Sequence, residues 1–172
     1  MIRSYTLARQ LGVPLTSAAE HRRIDVTIDG ADHVERGTLN LVKGFGGALL
    51  REKIVAGASD RMIVGVDETK LVDRLGRSTP LPVETVSFGW QTTLDRLSTF
   101  GCEPRLRLTG DRPFTTDSGN YITDCDIAEI PDPAALKGRL SAIIGVVESG
   151  LFIGLASKIV VDRPTGVEVI ER

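Results

Sequence analysis

Three short runs restrict most strongly what this chain can fold into. Arg23 to Asp29 (RIDVTID) carries apolar, β-branched residues on alternate positions, the pattern of a strand ending near Asp29. Ala48 to Ala58 (ALLREKIVAGA) spaces Leu49, Leu50, Ile54 and Val55 as a helix with one buried face requires. Arg61 to Val66 (RMIVGV) is apolar at both parities and reads as a second strand, buried on both faces. Strand, loop, helix, strand in this order predicts a parallel unit with a right-handed crossover. Upstream, Ser4 to Leu11 reads as a short helix with Ser4 as N-cap and Gly12 as its stop. Downstream, Asp67 to Leu75 reads as helical.

Gly76 to Pro82 (GRSTPLP) has the composition of a linker, and a different rhythm follows it. Val83 to Phe88 is expected to be a strand, Trp90 to Phe100 a helix closed by Gly101, and Pro104 to Leu108 a strand. Thr115 to Asn120 (TTDSGN) is a turn, Tyr121 to Asp126 a strand, Pro133 to Ile143 a helix capped by Asp132, and Val146 to Ile153 a strand. That βαββαβ order is the ferredoxin-like split unit. Two last strands, Lys158 to Val161 and Val167 to Ile170, flank a turn at 164–166.

The chemistry concentrates between Ile28 and Lys53. Asp29 stands where a parallel strand gives way to its loop, the edge at which open α/β sheets bind ligands. Gly30 permits a sharp turn there, and Asp32 is near enough to share the same pocket mouth. An aspartate that only hydrogen-bonds its own turn is the competing reading of D-G-A-D. Lys43-Gly44-Phe45-Gly46-Gly47 then sets a full positive charge beside a glycine-rich loop. The backbone N–H groups of such a loop can converge on an anion at a helix start. Glu52 follows within the helix, flanked by Leu49, Leu50, Ile54 and Val55. An apolar flank raises a carboxylate pKa toward the range of a useful base. Lys70 lies just beyond the next strand and is placed to reach the same crevice. Together these groups suit proton transfer between carbons next to a carbonyl: Glu52 moves the proton, Lys43 and the loop amides hold the developing oxyanion, and the aspartates hold hydroxyls.

Composition excludes several other classes. A net charge of −2, no Lys/Arg run and 5% aromatics argue against a nucleic-acid partner. No apolar stretch nears the roughly 18 residues of a membrane span, and MIRSYTLARQ lacks the apolar region of a secretory signal. Cys102 and Cys125 form neither a disulfide framework nor a metal motif, and His21 and His33 are too few for zinc. The reading is a cytoplasmic protein with reduced thiols, no metal and no cofactor.

The sequence resembles type A ribose-5-phosphate isomerase. The resemblance rests on D-G-A-D (29–32), K-G-F-G-G-A-L-L-R-E-K (43–53), the D-E-T-K segment ending at Lys70 and L-P-V-E (81–84). It extends through T-D-S-G-N (116–120) and G-V-V-E-S-G-L-F (145–152). It implies an α/β fold: a Rossmann-like parallel sheet, N-terminally shortened, over residues 1–78 and 154–172. A ferredoxin-like α+β domain is inserted at 79–153. It also implies interconversion of ribose 5-phosphate and ribulose 5-phosphate through an enediol(ate), without a cofactor. Glu52 would be the general base, with Asp29, Gly30, Asp32, Lys43, Gly44, Gly46 and Lys70 binding substrate. The only ligand expected is a small sugar phosphate, and the assembly a homodimer or homotetramer.

Three departures from the family pattern bear on these expectations. Nothing in Met1 to His21 corresponds to the family's earlier βαβ region, whose G-x-G-S/T loop grips the substrate phosphate. Phe45 replaces a glycine of K-G-G-G, and His33 stands where glutamate is usual, in a stretch one residue longer. A sugar-phosphate-binding or regulatory relative of the isomerase, with impaired catalysis, is therefore the alternative. A different enzyme of the same superfold is a third reading.

Overall fold

The computed structural model describes residues 2–77 and 79–171. Helix α1 (Ile2–Gln10) ends where Gly12 turns to φ +68° and the chain folds back, with the Val13 N–H donating to the Ala8 carbonyl. The helix starts at Ile2, ahead of the predicted cap position.

Strand β1 (Ile24–Gly30) leads into a small hairpin, β2 (His33–Glu35) and β3 (Leu41–Val42), and then helix α2 (Leu49–Gly57). Strand β4 (Ser59–Asp67) returns parallel to β1, pairing Asp29 with Val64 and Gly30 with Gly65. The predicted helix over 67–75 is absent. Asp67 instead caps a single 3₁₀ turn, Glu68–Lys70, by accepting from the Thr69 N–H at 2.9 Å, and β5 (Leu71–Val72) follows at once. The Asp67 side chain favours a turn over helix continuation at this point.

The inserted unit comprises β6 (Leu81–Thr85), α3 (Trp90–Ser98), β7 (Glu103–Leu106), the short hairpin β8 (Leu108–Thr109) and β9 (Arg112–Pro113), β10 (Tyr121–Asp126), α4 (Pro133–Ser141) and β11 (Val146–Ser149). Its antiparallel sheet runs β11-β6-β10-β7, the strand order of a ferredoxin-like unit. Asp132 caps α4 by accepting from the Ala135 N–H at 2.9 Å. Ser78, in the sequence-read linker, lies outside the described residues.

The predicted single strand over 146–153 breaks at Gly150 into β11 and β12 (Leu151–Phe152), which belong to different sheets. The Gly150 N–H donates to the Pro82 carbonyl at 2.7 Å, and its carbonyl accepts from the Lys43 N–H at 2.9 Å. A Cβ there would meet the Lys43 carbonyl at 2.2 Å, so only glycine fits this crossing. β12 pairs with β3 and so ties the inserted unit to the backbone beside Lys43. Strands β13 (Ala156–Arg163) and β14 (Gly166–Glu171) complete the main sheet, ordered β1-β4-β13-β14, with β13 parallel to β4.

Two apolar clusters result. One packs Val34, Leu41, Ala56, Met62, Val64, Phe152, Ile159 and Val161 against one face of the main sheet. The other fills the inserted unit around Leu81, Val83, Leu97 and Leu140, with Cys102 and Cys125 as buried free thiols. The expectation that β4 is buried on both faces is wrong. Met62 and Val64 are buried, but the opposite face, with Ile28 77% exposed and Val169 52% exposed, carries no covering layer among the described residues. Apolar residues of both parities made the two faces look alike. Among the described residues, no helix is long and apolar enough to cross a membrane.

Candidate active site

Asp29 is the penultimate residue of β1 and shares the covered face of the sheet with Val64. Lys43 follows β3, pinned by its N–H on Gly150, and Glu52 lies in the first turn of α2. Their side chains converge. Lys43 is 4% exposed, and its Nζ lies 2.5 Å from the Gly30 carbonyl, 2.9 Å from Asp29 Oδ2 and 3.2 Å from Glu52 Oε2. The Phe152 ring, 5.5 Å from the same nitrogen, forms the apolar floor. A buried ammonium is tolerated here because oxygen acceptors surround it.

Glu52 has its pKa raised above the usual glutamate value. Burial is the main cause, the Lys43 ammonium opposes it, and the charges of Asp29 and Asp32 reinforce it. A carboxylate held half out of water, beside a cation that favours its charged form, is equipped to accept and return a proton. Asp29 Oδ1 accepts from the Gly30 N–H at 2.8 Å, which fixes its carboxylate at the strand end. Asp32 reaches the glycine loop, where its Oδ2 accepts from the Phe45 N–H at 3.0 Å.

The loop itself is shaped by Gly44 and Gly47, whose φ values are +117° and +75°. Phe45 is not among the residues with positive φ, so a side chain sits there without backbone strain, 42% exposed. His33 is buried, with Nδ1 3.1 Å from Thr79 Oγ1, and its pKa is lowered by burial and by Lys70. Both departures from the family pattern are thus accommodated.

Lys70 stands apart from the Asp29–Lys43–Glu52 cluster. It lines a crevice of about 500 Å³ at the carboxyl ends of β1, β4 and β13, with Ala31, Gly65, Asp67 and Asp162. Ligands of open α/β sheets occupy this kind of crevice. Among the described residues no three His, Cys, Asp or Glu side chains are grouped to hold a metal ion.

Sequence reasoning overlooked a second set of charges around the loop. Arg107 donates through Nη1 to the Gly44 carbonyl at 2.9 Å and the Phe45 carbonyl at 3.0 Å, while Asp124 pairs with its Nε at 2.8 Å. Lys53 is buried against the Ser149 carbonyl at 2.5 Å and Glu148 Oε1 at 2.9 Å, and burial pulls its pKa down to about 8. Neither carried a local signal: R-L-R-L reads as a solvated strand edge, and Lys53 follows Glu52 as an ordinary helix lysine would. Two quoted motifs also meet in space. Buried Glu84 accepts from Thr116 Oγ1 at 3.0 Å and Asn120 Nδ2 at 2.9 Å, joining L-P-V-E to T-D-S-G-N.

Comparisons with known proteins point to one family. The family model described as ribose 5-phosphate isomerase A (phosphoriboisomerase A) covers residues 2–166. A ribose-5-phosphate isomerase A of Gluconobacter oxydans is 52% identical over 164 residues, spanning 94% of this chain and 71% of the relative. That of Gloeobacter violaceus is 53% identical over 159 residues, spanning 92% of this chain and 69% of the relative. Among solved structures, ribose 5-phosphate isomerase A of Methanocaldococcus jannaschii superposes with a TM-score of 0.93 at 37% identity, covering 99% of this chain and 75% of that one. A D-ribose-5-phosphate isomerase in complex with phospho-erythronic acid gives 0.94 at 37% identity, with the same coverage. These likenesses bear out the α/β fold with a Rossmann-like parallel sheet, and by them the chain belongs to the ribose 5-phosphate isomerase A family.

Proposed function

We infer that this chain is an aldose–ketose isomerase that interconverts D-ribose 5-phosphate and D-ribulose 5-phosphate, a step of the non-oxidative pentose phosphate pathway. The observation that carries the reading is the buried contact of Lys43 with both Asp29 and Glu52, in a family whose relatives bear that name. The phospho-erythronic acid bound by a structural relative supports a sugar phosphate as the ligand.

Glu52 acts as the base. Its carboxylate takes the proton from C2 of the open-chain aldose, the C2–H electrons form the C1=C2 bond, and the carbonyl electrons pass to O1 as an enediolate. Lys43 exchanges its Glu52 contact for that oxygen and, with the Gly46 N–H of the glycine loop, stabilises the charge. The O2 proton moves to O1. The protonated Glu52 then returns its proton to C1, and O2 becomes the ketone. Asp29 and Asp32 hold the sugar hydroxyls, Gly30, Gly44 and Gly46 give the substrate close access to the backbone, and Lys70 reaches the ligand from the neighbouring crevice.

We further propose that residues 1–78 with 154–172 form the isomerase domain and that 79–153 is the inserted domain bracing it. A homodimer or homotetramer working in the cytoplasm is proposed on the likeness to the family alone. The test is conversion of ribose 5-phosphate by the purified chain, read as ketose formed. Turnover supports the reading; a folded chain that binds the sugar phosphate without turning it over contradicts it.

A further inference from the structure

The glycine loop is held from outside the Asp29–Lys43–Glu52 cluster. Arg107 Nη1 contacts two successive carbonyls, those of Gly44 and Phe45. In a trans peptide the carbonyl of one residue and the N–H of the next point to opposite sides, and no described peptide is cis. Two carbonyls drawn to one nitrogen therefore turn the N–H groups of Phe45 and Gly46 the other way. The Phe45 N–H does end on the far side, on Asp32 Oδ2 at 3.0 Å.

The arginine is itself locked. Asp124 takes Nε at 2.8 Å and Nη2 at 2.5 Å, a paired geometry that leaves Nη1 as the free corner of the fork. Its guanidinium stands 5.8 Å from the centre of the Phe114 ring, and that ring packs where a Cβ of Gly47 would be, 2.3 Å from it. The inserted unit thus grips the loop at Gly44, Phe45 and Gly47. A free loop this rich in glycine would sample many conformations, few of them with aligned donors.

We propose that Arg107 is a positioning residue of the isomerisation: by holding the Gly44 and Phe45 carbonyls it aims the Gly46 N–H at the substrate oxygen that becomes the enediolate. Asp124 orients Arg107 for this task. Lysine cannot replace it, because a single ammonium cannot hold two carbonyls and a carboxylate in one plane. This assignment rests on the isomerase reading above, and its test separates the two.

Arg107→Lys and Asp124→Asn are compared with the unaltered chain in two ways. The first is amide hydrogen exchange at Phe45 in the ligand-free protein, where both variants lose protection while the melting temperature holds. The second is turnover, where kcat falls roughly 10- to 100-fold with KM changed much less, as for a misaligned oxyanion donor. Retained protection at Phe45 in both variants overturns the proposal, and so does lost protection with kcat unchanged. No turnover by the unaltered chain, with protection lost in the variants, overturns the isomerase reading and leaves the grip of Arg107 on the loop standing.

Discussion

Gly47→Ala is the most direct probe of how the inserted unit shapes the glycine loop. Gly47 has φ +75°, and an added Cβ would stand 2.3 Å from Cε1 and Cζ of Phe114. Holding alanine in the left-handed region costs about 1–2 kcal/mol. Forcing a methyl group into a filled contact costs about 1–3 kcal/mol more. The smaller entropy of the unfolded alanine chain returns about 0.4–1 kcal/mol. The net expectation is a loss of about 1–5 kcal/mol, large against a typical domain stability of about 5–15 kcal/mol. The same Phe114 ring stands beside Arg107, whose guanidinium is 5.8 Å from its centre. Urea unfolding of Gly47→Ala, Phe114→Leu and the double variant closes a thermodynamic cycle. The expected coupling is about 1–3 kcal/mol, because the smaller side chain removes the clash but not the backbone strain. A loss below about 0.5 kcal/mol with no coupling refutes the packing argument.

Two further outcomes concern the buried lysines. In Lys43→Met the main influence that keeps Glu52 ionised is gone while burial and the two aspartates remain. The acid limb of the kcat/KM profile therefore moves to higher pH, and kcat falls by roughly 10²–10³ as the oxyanion partner is lost, both read from a pH–rate series. Lys53 has its pKa lowered from 10.5 to about 8, so between these values the unfolded chain binds the extra proton. Stability attributable to Lys53 therefore rises with pH across that window, by about 3 kcal/mol in total. Unfolding of the unaltered chain and of Lys53→Met, measured at pH 8 and at pH 10.5, shows that rise as a difference between the two proteins.

Local patterns announced the parallel unit and the βαββαβ unit because each strand and helix carried its own periodicity and stop signals, as Asp132 and Gly101 illustrate. They failed where tertiary contacts decide. The break at Gly150 depends on the Pro82 and Lys43 backbones, far away in sequence. The 67–75 segment had helix-compatible residues, yet the Asp67 side chain diverts the chain into one 3₁₀ turn. At the site, Asp29, Asp32, Lys43 and Glu52 were legible because they lie within one short stretch and use chemically unusual neighbours. Arg107 and Asp124 were not, since an arginine and an aspartate on paired strands look the same whether they face solvent or the glycine loop. Lys70 was placed near the right strand end, but it lies in the adjoining crevice rather than in the cluster.

In the proposed mechanism Glu52 carries a proton between the two carbons. Isomerisation of ribose 5-phosphate in heavy water, with the unaltered chain and Glu52→Gln side by side, tests it most directly. Proton transfer through Glu52 predicts solvent deuterium on the carbon skeleton of the products. It also predicts a kcat lower by roughly 10²–10⁴ in Glu52→Gln, with binding of phospho-erythronic acid retained. Turnover by Glu52→Gln at the unaltered rate would contradict it.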